Sequence, residues 1–148
     1  MKQRCLSEIA DFLNDAGWNY SIFLQCYPVS VGPNNGSDDL IRNALGNGAE
    51  IEGIQRVSPK EVLIEIEESL CYAGDDGAGI DKKHLDTERF KVLLSNVMLE
   101  VHVITSASIC IERFWLKAGH PAYPVFWDFA FLFQTRDKAM VLVGSSSD

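Results

Sequence analysis

The chain has 148 residues, which is the size of one domain, and we expect residues 1–148 to form a single globular unit. Hydrophobic residues make up 47% of it and charged residues 23%, a balance that is typical of folded proteins and argues against disorder. The formal net charge of −8 argues against a nucleic-acid-binding protein, which would carry a basic surface. It favours instead a protein partner of positive charge.

The cysteines and the N-terminal residues predict the cellular compartment. Cys5, Cys26, Cys71 and Cys110 are far apart and form no CxxC pair, although an even number of cysteines does not exclude disulfides. Polar residues interrupt the apolar segment that a secretory signal would need, and no apolar run approaches the ~20 residues of a membrane span. We therefore expect free thiols in a reducing cytoplasm.

The first part of the chain is predicted to alternate between helices and extended segments. Gly17 ends a first amphipathic helix, and Pro28 ends the aromatic-rich strand that follows. Ser37 or Asp38 can cap a short helix, which Gly46 closes. The predicted elements are a helix over Cys5–Ala16, a strand over Trp18–Tyr27, a short helix through Leu45 and an extended piece over Ile51–Val57.

The clearest local signal is the tetrapeptide Ser58-Pro59-Lys60-Glu61. Ser58 can cap a helix, Pro59 suits the first helical position, and Glu61 completes a capping box. Apolar residues then recur at helical spacing, with glutamates between them, until Gly74. These features predict a helix with one face on the core and one in water.

A glycine-rich acidic loop over Asp75–Lys83 follows, and Asp86 or Thr87 can start a further helix through about Asn96. The loop resembles a calcium-binding loop only in composition. Gly77 and Gly79 occupy positions 3 and 5 of such a loop, where oxygen ligands are required. We therefore interpret the segment as a solvated loop.

The segment Met98–Leu116 is rich in β-branched residues, which favours two strands, Leu99–Thr105 and Ile109–Lys117. A helix over Ile109–Ala118 is the alternative, because several of these residues are good helix formers. We prefer strands because the last part of the chain needs a sheet to pair with.

That last part, Val125–Ser146, holds two apolar runs, Val125–Gln134 and Ala139–Ser145, around a polar tetrad that is typical of a β-hairpin. The first run is apolar on both faces apart from Asp128, which predicts a central strand. The order of elements predicts an α+β fold, in which N-terminal helices pack on a mainly antiparallel sheet formed largely by the C-terminal half.

Asp128 is the one charge within that predicted central strand. A buried carboxylate needs a partner or a proton, so we expect it to pair with His120 or Arg113 beneath the loop around Tyr123. Such a pair could supply acid–base chemistry. The alternatives are a structural anchor or a solvated face at the edge of the sheet.

No motif predicts a metal or a cofactor. His84, His102 and His120 lack metal-ligand spacing, and His102 lies in an alternating Val-His-Val run that indicates a half-exposed strand. Gly46-Asn47-Gly48 follows a helix and lacks the third glycine of a dinucleotide-binding loop. The chain also contains no phosphate-binding loop and no nucleophile elbow.

The preferred functional hypothesis is a small acidic protein that binds another protein, such as an immunity- or antitoxin-type inhibitor of a basic nuclease. The tryptophans are expected in the core, whereas the proline-rich segment around Tyr123 is expected to be exposed. The candidate partner-binding residues are acidic apart from one tyrosine: Asp75, Asp76, Asp81, Glu65, Glu67, Glu68 and Tyr123.

Two other hypotheses stay open. The first is an enzyme or a small-ligand module, with His120 and Asp128 as acid–base residues in a pocket between sheet and helices. The second is a subunit or adaptor without activity of its own. The sequence predicts neither the partner nor the oligomeric state.

Overall fold

A computed structural model describes residues 1–148. It contains five helices and two antiparallel sheets. The elements in chain order are α1 (Gln3–Ala16), β1 (Gly17–Trp18), β2 (Ser21–Ser30), α2 (Ser37–Leu45), β3 (Glu50–Arg56), α3 (Pro59–Leu70), β4 (Gly74–Asp75), β5 (Ala78–Ile80), α4 (Lys82–Leu85), α5 (Glu88–Ala107), β6 (Cys110–Ala118), β7 (Trp127–Gln134) and β8 (Lys138–Ser147). The predicted α+β arrangement is confirmed, since N-terminal helices pack on a sheet that comes mostly from the C-terminal half.

The larger sheet has the strand order β2-β8-β7-β6-β3, which places β7 at its centre. The predicted hairpin of β7 and β8 and the predicted strand β6 are confirmed. Alternate residues of β7 point to opposite faces: Phe131 packs against α1, α3 and α5, whereas Leu132 packs against α2. The sheet therefore has helices on both faces, as expected for a strand that is apolar on both sides.

A row of aromatic rings runs along the face of β7 that carries three helices. The rings of Trp127, Phe129, Phe131 and Phe133 follow one another with centroid distances of 5.7, 5.7 and 6.1 Å. Gly144 of β8 lies opposite Phe129, and a Cβ atom at Gly144 would come within 2.3 Å of that ring. The aromatic row thus requires a residue without a side chain on the neighbouring strand.

The other face of the sheet carries only the nine-residue helix α2, which contacts β2 and β8. Asp128 lies near the start of β7, in the alternating set that includes Ala130 and Leu132 of this face, and it is exposed. The expectation of a buried carboxylate is therefore wrong at this position. Because the Asp128 carboxylate is in contact with water, it needs no ion-pair partner, although it lies on a central strand.

The predicted strand over Leu99–Thr105 is wrong, because α5 continues without a break from Glu88 to Ala107. Its β-branched residues are placed by tertiary packing rather than by local preference: Phe90, Val97 and Val101 are buried at helical spacing against the core. His102 is consequently an exposed helical residue. By length and composition alone, α5 would also satisfy the requirements for a membrane-crossing helix.

Helix α1 protects the free edge of β2. The Asn14 amide accepts a hydrogen bond from the N–H of Ile22 at 2.6 Å and donates one to its carbonyl at 3.2 Å. Gln3 pairs in the same way with the carbonyl of Leu24 at 3.1 Å and the N–H of Cys26 at 2.9 Å. The unpaired N–H and C=O groups of a strand edge can form hydrogen bonds with a strand of another chain. Here the side-chain amides of Asn14 and Gln3 occupy these groups instead.

Pro28 does not end β2, contrary to expectation, since the strand runs to Ser30. Proline is tolerated on an edge strand where its missing N–H would have pointed to solvent. The register confirms that Pro28 faces the free edge of β2. Every second residue from Ile22 to Pro28 turns its backbone polar groups to this edge, and α1 side chains bond to these groups at Ile22, Leu24 and Cys26.

The ends of the predicted helices are largely confirmed. The capping box of α3 is present, with the Ser58 hydroxyl accepting from the N–H of Glu61. Thr87 caps α5, whereas α2 is capped by Gly36, one residue before the predicted Ser37. The segment predicted as one long acidic loop instead forms the small strand β5, the short helix α4 and the turn that joins β5 to β4.

Candidate protein-binding surface

Trp18 lies on a small three-stranded sheet at one end of the molecule. Its strand, β1, pairs with β5, and β5 pairs with β4. The Trp18 side chain is 67% exposed, so the expectation of a core residue is wrong. Trp18 lines a shallow cavity of about 310 Å³ together with Asp75 and Asp81. An exposed indole and two carboxylates therefore line the same concavity.

The local structure holds these carboxylates in place. Asp75 accepts a hydrogen bond of 2.7 Å from the Tyr72 hydroxyl, and this bond raises the pKa of Tyr72 above its usual value. Asp81 caps α4 by accepting from the N–H of Lys83 at 3.0 Å. Asp76 is exposed in the turn between β4 and β5 and lines a neighbouring concavity with Asp75. The three predicted aspartates thus line two concavities that share Asp75, and Lys82 also lines the second of them.

Three packed rings support the loop that carries Tyr123. Tyr20, Tyr72 and Phe126 lie with centroid distances between 5.4 and 6.4 Å. The Trp127 indole donates to the Tyr20 hydroxyl at 2.7 Å, and burial raises the pKa of Tyr20. Phe126 anchors the loop, and Tyr123 itself is 85% exposed. We call Trp18, Tyr123, Asp75, Asp76 and Asp81 the acidic end surface.

The glutamates of α3 divide into two groups. Glu65 points to the sheet and forms an ion pair of 2.8 Å with Arg113. Burial raises the pKa of Glu65, an effect that the attraction of Arg113 only partly offsets. Glu67 and Glu68 are exposed. Glu65 is therefore engaged within the chain, and only the other two glutamates are free to face a partner.

The ion pair of Asp128 with His120 or Arg113 is absent. Arg113 pairs with Glu65, and the Asp128 carboxylate forms no hydrogen bond or ion pair. Asp128 lines a cavity of about 280 Å³ with Arg113 and Trp115, and His120 is not part of its lining. The His120 Nδ1 atom accepts from the N–H of Ala122 at 3.0 Å, while its Nε2 atom is buried without a partner. The two side chains are thus not brought together by a bond or by a shared cavity.

A larger open groove of about 830 Å³ lies between α1 and α5, where no sequence motif predicts a site. Phe12 and Leu93 contribute apolar surface, while Asp11 and Asp15 line it from α1. His84 also lines this groove. The signal in the sequence is the spacing of Asp11 and Asp15, which places both carboxylates on one side of α1.

No group of three or more His, Cys, Asp or Glu side chains comes together as a metal site, and all four cysteines are free. A search with protein-family models, with curated proteins and with solved structures finds no match to the chain.

Proposed function

We propose that this protein acts in the cytoplasm by binding a positively charged protein through the acidic end surface. The observation that carries the proposal is Trp18, an indole 67% exposed in a concavity that two carboxylates share. Tryptophan and tyrosine dominate the binding energy of protein interfaces, because they bury a large area with few rotatable bonds. The neighbouring aspartates supply attraction at long range.

The charges and the rings have separate roles in this proposal. The net charge of −8 and the three aspartates speed the encounter with a basic partner, an effect that salt screens. Trp18 and Tyr123 then supply the apolar contacts that slow dissociation. Because Asp75 is already held by Tyr72, little conformational freedom is lost on binding.

The specific form that we propose is an immunity- or antitoxin-type inhibitor, whose partner is a basic nuclease. A nuclease that binds nucleic acid carries a positively charged active-site face, which is complementary to a surface of exposed carboxylates. The inhibitor would act by covering that face. This form predicts inhibition with one inhibitor for each enzyme molecule.

The test is affinity capture from the native host with the wild-type chain and with Trp18→Ala. We expect one basic protein to be retained by the wild type, and loss of a central tryptophan to weaken binding by about 30-fold or more. Asp75→Asn combined with Asp76→Asn should lower the association rate constant at low salt and have little effect on it at high salt.

Matched controls are available elsewhere on the chain. Trp115 is also exposed, and Asp137 lies in the turn between β7 and β8, at the opposite end of β7 from Trp127. Trp115→Ala and Asp137→Asn should bind like the wild type. Retention of no basic protein, or equal loss in Trp115→Ala, would contradict the proposal. A captured partner without nuclease activity would retain the binding function and refute the inhibitor form.

A further inference from the structure

The outward face of α5 carries an unusual pattern of residues. Val92, Asn96, Leu99, Val103 and Ser106 follow one another at alternating steps of four and three residues, which places them in one line along the helix. Val92, Leu99 and Val103 are 58, 62 and 59% exposed. We call these five residues the α5 seam. This is the spacing by which helices pack together in coiled coils.

The α5 seam is also free of charge. Between Val92 and Ala107 the only acidic or basic residue, histidine apart, is Glu100, which contacts Lys2, the residue before α1, at 3.8 Å. In a chain with a net charge of −8, two copies repel each other over most of their surfaces. The five residues of the α5 seam add no charge to that repulsion.

Helix α1 flanks the seam and has opposite charges at its two ends. Lys2 and Arg4 lie at its N-terminal end, where Lys2 is 3.8 Å from Glu100 and Arg4 pairs with Glu8 at 2.7 Å. At the other end, Asp11 and Asp15 line the groove beside Val92, together with Arg89 of α5. The two helices therefore run in opposite directions. A two-fold axis across the middle of α5 would bring the basic end of α1 against the acidic end of the partner copy's α1.

We propose that two copies of this chain associate through the α5 seam, with their α5 helices antiparallel and Leu99 near the two-fold axis. The symmetry places Val92 of one copy opposite Ser106 of the other. In a parallel arrangement α1 would instead face α3 of the second copy, and its two charged ends would gain no complementary partner. Charge complementarity thus selects the antiparallel arrangement.

The size of the interface sets the expected affinity. A helix of 20 residues is about 30 Å long and about 10 Å wide, so α5 and the adjoining side of α1 would bury about 600 Å² per copy. This is below the ~800 Å² per partner of a standard stable interface. We therefore expect a reversible dimer that forms at micromolar concentrations.

The first experiment is sedimentation velocity of the full chain from about 1 to 300 µM, a range that brackets micromolar dissociation constants. The wild type should shift from monomer to dimer, and Leu99→Lys should stay monomeric with an unchanged melting temperature, since Leu99 is exposed. Val125→Lys adds the same charge at another exposed apolar residue and should dimerise like the wild type. A wild-type chain that stays monomeric over this range overturns the proposal. Binding of α5 to phosphatidylcholine vesicles or to a different protein would not rescue it.

The second experiment tests the direction of the helices by disulfide cross-linking, in a background in which the exposed Cys71 is replaced by serine. An antiparallel dimer predicts cross-linking when Val92→Cys and Ser106→Cys chains are mixed, and none within Val92→Cys alone. The reverse result would overturn the antiparallel arrangement. Arg4→Glu should weaken the dimer at least several-fold, and adding Asp15→Lys should restore it; because Arg4→Glu also loses the pair with Glu8, circular dichroism must show that the monomer keeps its helix content.

Discussion

Asn14 offers the sharpest test of how the helices stabilise the sheet. In Asn14→Ala the N–H and the carbonyl of Ile22 lose the two hydrogen bonds, of 2.6 and 3.2 Å, that close the edge of β2. A part-buried backbone group left unpaired costs about 1 to 3 kcal/mol, so we expect a loss of about 2 kcal/mol in the free energy of unfolding. For a chain of this size that corresponds to a fall of about 4 to 8 °C in melting temperature.

The measurement is urea unfolding followed by circular dichroism, with two comparison variants. Asp11→Ala also replaces an exposed polar residue of α1 by alanine, and its gain in helix propensity is similar to that of Asn14→Ala. The difference in stability between the two variants therefore measures the hydrogen bonds at the edge of β2. Asn14→Asp keeps the acceptor for the Ile22 N–H and loses the donor, so its cost should be intermediate. If Asn14→Ala were as stable as Asp11→Ala, the edge bonds would contribute nothing and the reasoning would be refuted.

Three further predictions concern the core and the ionisable groups. Gly144→Ala should destabilise the protein by about 2 to 3 kcal/mol in urea unfolding, because its Cβ would lie 2.3 Å from the Phe129 ring; an unchanged midpoint would contradict this packing. Burial raises the pKa of Glu65, so its ionisation destabilises the folded state as pH rises through that value; Glu65→Gln should therefore gain stability relative to the wild type from pH 4 to pH 7. Asp75→Asn should lower the pKa of Tyr72, measured by ultraviolet titration of the phenol, and an unchanged value would exclude the hydrogen bond.

The edge of β2 and the α5 seam illustrate two different treatments of exposed surface. At β2, side-chain amides of α1 satisfy the outward backbone groups, which protects the strand from pairing with another chain. At β3, the other edge of the sheet, register irregularities near Ile51 and exposed charges such as Glu52 have the same effect. Neither edge of the sheet is therefore suited to pairing with a strand of another copy. The α5 seam is a helical surface without charged residues, and the proposed dimer uses it instead.

Local chemistry was sufficient to predict much of the fold. The capping box at Ser58 and the N-cap at Thr87 act through hydrogen bonds within one helical turn, so the sequence shows them directly. The apolar alternation of β7 is likewise local, because successive side chains of a strand point to opposite faces. Part of the candidate surface could also be predicted, because its segments are polar or rich in glycine and proline. The residues predicted in this way are Asp75, Asp76, Asp81 and Tyr123.

Long-range contacts decided the rest. The β-branched run after Met98 is helical because Val101 and Ile104, three residues apart, both pack against the core, whereas a strand would turn them to opposite faces; propensity alone does not contain that information. Trp18 is exposed because β1 pairs with β5, more than sixty residues away, rather than joining the main sheet. The sequence by itself determined the capped helix ends, the final hairpin and the charge; only the tertiary structure decided which faces those elements bury, because burial depends on partners that are distant in the chain.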